Sequence, residues 1–325
     1  MLNIESRRDL SYSIGLSVAE LKALAGKTGG YYSPFQDKSG RKPRLIDCPI
    51  EPLSEVQKAV YRAFLRDLRY PDHLFGGIRG RSPLANASVH LGKREVLRID
   101  IRKYFPNVTH KQVYRALVRL GCSPDVASLL TKLTTWRGRL PQGASTSMPL
   151  ANLILLGTDR AILRCAAESG LTYTRYVDDL VFSGDEVRGI INPVIDLIQK
   201  AGFAVGRNKI EVMSQGGVQE VTGYRVNSKK GPVKGHLYRD RLRAQIHGLE
   251  ALRSAPELFQ VEVDCIRGRL QHFSQTNPQA AESLRGRLDS LVELDKVTSG
   301  SVPPKKKRRR GMPLSVWRRQ FRQTV

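Results

Sequence analysis

The chain has 325 residues and is 40% hydrophobic, enough for one large multi-lobed unit or two modest domains around a real core. No apolar run is long enough to span a bilayer, and Met1 to Ser6 lack the basic-then-apolar start of a secretory signal. No membrane partner and a cytoplasmic location are therefore expected. Lys and Arg number 54 against 30 Asp and Glu, a net charge of +24 that calls for a polyanionic partner, nucleic acid above all. Residues 301–325 carry nine of those cations and no acid, yet the other 45 still exceed the acids by 15, so the body is basic too. Cys48, Cys122, Cys165 and Cys265 are dispersed, with no Cys-x-x-Cys pair, and read as free thiols rather than zinc ligands.

In chain order, residues 29–47 read as a Gly- and Lys-rich hairpin turning at Asp37-Lys38-Ser39-Gly40. Ser54 and Gln57 predict a capping box, followed by a helix with Val56, Val60, Ala63 and Phe64 on one face. Residues 95–101 alternate as a strand. Thr109 and Gln112 predict a second capping box, with Val113, Leu117 and Leu120 facing inward. A largely apolar helix is expected from Pro149 to about Ser169, a hairpin over 171–183, and a helix over 188–201 that Gly202 ends. After residue 236 the pattern becomes basic and helical, with Leu242, Ile246 and Leu249 on one helix and two more over Leu258–Phe273 and Ala281–Leu294. Pro303-Pro304 then precedes the cationic run Lys305 to Arg310. This order predicts an α+β protein with a helical appendage.

The chemistry centres on carboxylates. Asp178 and Asp179 sit near the turn of the predicted hairpin, and Asp100 near the end of an alternating strand. A carboxylate in a half-buried strand is costly unless it is paired or metal-bound. Phosphoryl transfer uses two hard cations held by two or three such groups. An Asp-Asp turn alone serves equally well as a loop cap.

The neighbours decide between these readings. Asp100-Ile101-Arg102-Lys103-Tyr104-Phe105, then Leu140-Pro141-Gln142-Gly143 through Asn152, then Tyr176-Val177-Asp178-Asp179, then Gly202-Phe203 ahead of Asn208-Lys209, resemble in that order the motifs of the reverse transcriptase family. Asn86-Ala87-Ser88-Val89-His90 and Val221-Thr222-Gly223 resemble the Asn-Ala-x-x-His and Val-Thr-Gly motifs of its retron branch, and Gly80-Arg81-Ser82 looks like that group as well.

The resemblance implies a right-hand polymerase fold. Residues 1–95 would form the N-terminal region and fingers. Residues 96–235 would form a palm of antiparallel sheet plus helices, with a fingers insertion near 107–140. A helical thumb would span 236–300 and a basic, RNA-gripping tail 301–325. By the same resemblance, Asp100, Asp178, Asp179 and the carbonyl of Ile101 would hold two Mg2+ ions, and Lys209 would serve the leaving pyrophosphate. Arg44 and Lys42 would hold the deoxynucleoside triphosphate, Phe105 would exclude a ribose 2′-OH, and Gln142 and Gly143 would line the nucleotide pocket. Asn86, His90, Val221, Thr222 and Gly223 would position RNA, helped by phosphate contacts from Arg239, Arg241, Arg243, Arg267 and Arg269. The implied activity is RNA-directed DNA synthesis on a cognate structured noncoding RNA, primed from a 2′-OH of that RNA. Its product would be a branched RNA–DNA molecule used in anti-phage defence with a separate effector protein. The sequence departs from the retron pattern at Val177, where alanine is common, and at Ser145 and Met148, where prolines are usual. The rival readings are an intron-type or abortive-infection reverse transcriptase, and a catalytically idle RNA-binding protein on the same scaffold.

Overall fold

The computed structural model describes residues 4–37, 43–228, 231–298 and 314–324. They fall into two compact units, each with its own apolar core. The first unit draws on 1–82, 95–212 and 309–325, the second on 83–94 and 213–308.

The chain opens with α1 (Arg7–Ile14) and α2 (Val18–Gly26), each started by a capping box, Ser6 with Asp9 and Ser17 with Glu20. Strands β1 (Tyr32–Asp37) and β2 (Arg44–Pro49) pair antiparallel from Tyr32↔Pro49 to Asp37↔Arg44, as the hairpin reading expects. The predicted turn at Lys38 to Gly40, and Lys42, lie outside the described residues. Helix α3 (Leu53–Val60) follows, but the expected Ser54–Gln57 capping box is absent. Gln57 is fully buried and donates instead to the Tyr32 hydroxyl at 3.0 Å and the Leu133 carbonyl at 2.9 Å. A buried amide takes the partners that remove it from an apolar surrounding, and these lie across the core rather than at the helix end.

Next come α4 (Pro83–Ser88), β3 (Glu95–Ile101), α5 (Tyr104–Asn107), α6 (His110–Arg119), α7 (Pro124–Thr134) and α8 (Ser147–Glu168). The capping box of α6 forms as predicted from Thr109 and Gln112. The chain continues through β4 (Thr172–Tyr176), β5 (Asp179–Gly184), α9 (Ile191–Lys200) and β6 (Val205–Ser214). Strands β4, β5, β3 and β6 lie side by side in that order, with β4–β5 and β5–β3 antiparallel. Alternation in β3 sends Val96, Leu97, Ile99 and Ile101 into the core and leaves Arg98 and Asp100 half-buried.

In the second unit, β7 (Glu220–Val221) and β8 (Tyr224–Arg225) make a short hairpin, and α10 (His236–Gly248), α11 (Pro256–Ser274) and α12 (Pro278–Thr298) form a bundle. Leu242, Ile246, Phe259, Val263, Leu270 and Leu288 are among its core residues. The segments 83–94 and 213–235, which the sequence reading assigns to fingers and palm, belong to this compact unit with the helical bundle.

The C-terminal α13 (Leu314–Thr324) belongs to the first unit. The sequence reading expects a basic tail over 301–325; its cationic run 305–310 lies outside the described residues, and α13 is docked helix. Leu314 and Trp317 pack on the core. Arg318 pairs with the buried Glu20 at 2.9 Å and donates to the Gly15 carbonyl at 2.7 Å. Burial would raise the Glu20 pKa; bonds from Arg318 and Ser17 reverse this and hold it below the usual carboxylate value. Arg318→Ala leaves that carboxylate buried without its cation and is expected to cost about 1–3 kcal/mol, read by chemical denaturation at pH 7.

Candidate active site

Two adjacent strands bring the carboxylates together. Asp100 of β3 is the direct register partner of Asp179, the first residue of β5, and the Ile101 N–H donates to the Asp178 carbonyl at 2.9 Å. The acidic turn is thereby zipped to the end of β3. Lys209 of β6 reaches the same spot and forms an ion pair with Asp100 Oδ1. Arg98, two residues before Asp100 on the same face of β3, lies 3.4 Å from Asp179 Oδ1 and 3.9 Å from Glu211. Arg98 was not among the predicted site residues, although the two-residue period of the strand places it beside Asp100.

Burial first, and neighbouring charge second, shift the carboxylates of the turn. Burial, then the Asp100 charge, pushes the Asp178 pKa up, while Lys209 and Arg44 pull against it. Burial drives Asp179 up to about 7, with Arg98 opposing and Asp178 and Asp100 adding to the rise. Arg44, at the start of β2, is exposed and acts electrostatically on the turn.

The turn itself is strained. Val177 has φ 62°, a left-handed conformation that costs a β-branched residue about 1–3 kcal/mol. Gly76 lies against it: a Cβ there would meet the Val177 backbone nitrogen at 2.6 Å. On the other side, Met148 packs against Gly77, so the methionine that replaces the usual proline has its own seat.

The nucleotide-pocket candidates also gather in this unit. The Gln142 carbonyl accepts from the Asp47 N–H at 2.7 Å, which fastens the Gln-Gly loop to β2. Gly143 has φ 127°, and a side chain on it would strike Ile46 Cγ2 at 2.7 Å. Phe105, on α5, is half-buried against the core, with its ring 5.9 Å from that of Tyr104. Tyr104 is anchored by a 2.6 Å bond to the Ala151 carbonyl.

The oxygens of Asp100, Asp178, Asp179 and the Ile101 carbonyl are hard donors suited to a divalent cation. Asp179 Oδ1 is buried and accepts no hydrogen bond among the described residues; the cation it faces is Arg98, 3.4 Å away. Among the described residues no three His, Cys, Asp or Glu side chains are placed so that together they could hold a metal ion. Asp100 and Asp179 lean instead on Lys209 and Arg98.

The predicted RNA-positioning motifs lie in the second unit and meet there. Thr222, with φ 47°, donates from its hydroxyl to the Pro83 carbonyl at 2.7 Å, joining the β7–β8 turn to the start of α4. Asn86, His90 and Val221 are fully buried. The sequence reading gives these residues to RNA positioning; here their side chains are packed inside the second unit. Burial, then Lys93, lowers the His90 pKa to about 3, so the imidazole is neutral. Of the arginines on α10 and α11, Arg239 and Arg243 pair with Asp240, Arg267 with Asp289 and Arg269 with Glu262. Arg241 is exposed and has no ion pair among the described residues. No helix of the described residues is long and apolar enough to cross a membrane.

Comparison with known proteins identifies the family. The profile of the reverse transcriptase (RNA-dependent DNA polymerase) family matches residues 36–236. Retron Mx65 reverse transcriptase of Myxococcus xanthus is 32% identical over 308 residues, spanning 87% of this chain and 71% of the relative. Retron Ec86 reverse transcriptase of Escherichia coli is 30% identical over 282 residues, spanning 85% and 86%. A looser likeness, with a TM-score of 0.44 and 11% identity, is to the structure of telomerase from Candida albicans, over 82% of this chain and 64% of that one. The chain belongs to the reverse transcriptase family, within it to the retron reverse transcriptases, and is an RNA-directed DNA polymerase.

Proposed function

We propose that this polymerase copies a cognate structured noncoding RNA, starting from a 2′-OH of that RNA, and yields a branched RNA–DNA product. The observation that carries this reading is the junction in which α4, which holds Asn86-Ala87-Ser88, meets the Val221–Gly223 turn through the bond from Thr222 to Pro83. Two motifs typical of retron enzymes, far apart in sequence, thus form a single structural element. Exposed Arg241 and its neighbours on α10 would meet RNA phosphates, which position without reading bases. The product would act in anti-phage defence in the bacterial cytoplasm, alongside a separate effector protein.

At the site, Asp100, Asp178, Asp179 and the Ile101 carbonyl would hold two Mg2+ ions. When bound, these supply charge neutralisation for the attacking and leaving oxygens. Arg44 would hold the triphosphate of the incoming deoxynucleotide. Lys209 would move from Asp100 to the pyrophosphate side and offset or protonate the leaving group. Phe105 would fill the space that a ribose 2′-OH needs, and Gln142 and Gly143 would allow close approach of the nucleotide.

The test is co-expression of the chain with the noncoding RNA encoded beside its gene, followed by debranching and sizing of the nucleic acid that co-purifies. A single-stranded DNA released from RNA by a 2′,5′-debranching enzyme is the expected result. Extension of a generic primer–template with no branched product would overturn the priming proposal and leave the polymerase intact.

A further inference from the structure

Arg175, in β4, is two residues ahead of Val177 and its side chain is fully buried. All five of its N–H donors have acceptors. Nε and Nη2 grip Asp159 of α8 at 2.8 and 2.7 Å, and Nη2 also reaches the Asn152 carbonyl at 3.3 Å. Nη1 donates to Asn152 Oδ1 at 3.1 Å and to the Val177 carbonyl at 2.7 Å. The amide of Asn152 donates to the Gly76 carbonyl at 2.7 Å, and the Tyr173 hydroxyl donates to Asp159 at 2.9 Å. Burial alone would lower the Arg175 pKa; Asp159 more than reverses that, so the guanidinium stays charged.

A buried ion pair is a poor way to stabilise a core, because well-packed apolar residues of similar volume do as well. Its value lies in geometry, and here the geometry converges on one place. Val177 carries the left-handed backbone that lets the next two residues face Asp100, and Arg175 holds its carbonyl. Asn152 joins that clamp to Gly76, the residue pressed against the Val177 nitrogen.

We propose that Arg175, oriented by Asp159 and Asn152, is the positioning residue of the acidic turn: it locks Val177 in the left-handed conformation and so fixes Asp178 and Asp179 opposite Asp100. The inference rests on the reading of those carboxylates as catalytic, and the chemistry of the clamp is specific to a guanidinium. A lysine has three donors on one atom and cannot span Asp159, Asn152 and Val177 together.

The test uses the full chain on a generic primer–template. Arg175→Lys keeps the charge, and the paired change Arg175→Gln with Asp159→Asn removes both buried charges at once, which guards against misfolding. Both are expected to lower kcat on the order of 10²-fold with KM for the deoxynucleotide changed less than about threefold. Amide hydrogen exchange over residues 176–179 is expected to speed up in both. Val177→Gly, which accepts a left-handed φ freely, should shrink the effect of Arg175→Lys on kcat to about tenfold or less. A structural salt bridge would show no such rescue. The proposal is overturned if the folded paired variant keeps kcat within about twofold of the unaltered protein while Asp178→Asn is inactive, or if Val177→Gly leaves the Arg175→Lys loss unchanged. An Asp178→Asn protein that still polymerises overturns the catalytic reading beneath it.

Discussion

Asp178→Asn and Asp179→Asn are each expected to abolish polymerisation and, at the same time, to make the protein more stable. The loss of activity follows from removing a hard anionic donor where phosphoryl charge must be balanced, and should be at least on the order of 10²–10³-fold. The gain in stability follows from burial of the two carboxylates, with crowding by their neighbours adding to it. Asp179 titrates at about 7 against an ordinary value of 3.8. A pKa raised on folding means that the folded state binds the proton more tightly than the unfolded chain. The charged form is therefore a penalty, absent below about pH 4, growing as pH rises to about 7 and constant above that. Three pKa units correspond to roughly 4 kcal/mol as a ceiling, and with Arg98 alongside and some solvent access about 1–3 kcal/mol is expected. Thermal melts in chelator at pH 5 and pH 8 check this: the Asn variants should melt higher than the unaltered protein, and by more at pH 8. Adding Mg2+ should raise the melting temperature of the unaltered protein and narrow the gap, because a ligand stabilises only the state that binds it. A variant that melts lower at pH 8, or that polymerises, would contradict the assignment.

What the sequence made legible was local. Alternation in residues 95–101 set Asp100 on a strand, the Thr109–Gln112 spacing marked a helix start, and the hairpin reading of 171–183 put the acidic pair near its turn. What it hid was decided by distant partners. Ser54 and Gln57 have the letters of a capping box, but Gln57 is claimed by Tyr32 and Leu133 across the core. Arg175 stands among the polar and aromatic residues of Thr172–Tyr176, where alternation offers it no fixed destination. It is buried because α8 presents Asp159 and the loop at Leu74 bridges to its backbone. The motifs at 86–90 and 221–223 were legible as motifs but not as one junction, since nothing local announces the Thr222–Pro83 bond. At the C-terminus Leu314 and Trp317 stand in a strongly charged segment, and their partial burial depends on a surface made elsewhere in the chain. Periodicity and caps report on a segment's own backbone; burial of a charge reports on who stands opposite.

The same logic gives Gly76→Ala a large effect. Residue 76 belongs to no helix or strand and shows no motif letter beyond glycine. Yet an added methyl would stand 2.3 Å from Val177 Cγ2, 2.6 Å from the Val177 nitrogen and 3.0 Å from the Tyr176 carbonyl carbon. A side-chain tip can rotate away, whereas two backbone atoms cannot. The loop cannot retreat either, because the Gly76 carbonyl is held by Asn152 and the Phe75 N–H donates to the Arg175 carbonyl at 2.9 Å. The acidic turn must therefore shift, and with it Asp178 and Asp179. The expected cost is about 1–3 kcal/mol in stability and a drop in kcat on the order of 10²-fold, as for other displacements of catalytic groups by an ångström. Gly157 provides the opposite sign within the same unit. It lies inside α8, and a methyl there meets nothing within 4 Å. Gly157→Ala is expected to stabilise the protein by about 0.5–1 kcal/mol, since alanine restricts the unfolded chain and favours the helix, and to leave kcat unchanged. Equal responses of the two variants in denaturant melts and single-nucleotide incorporation would mean that the contact between Gly76 and Val177 does not govern the turn.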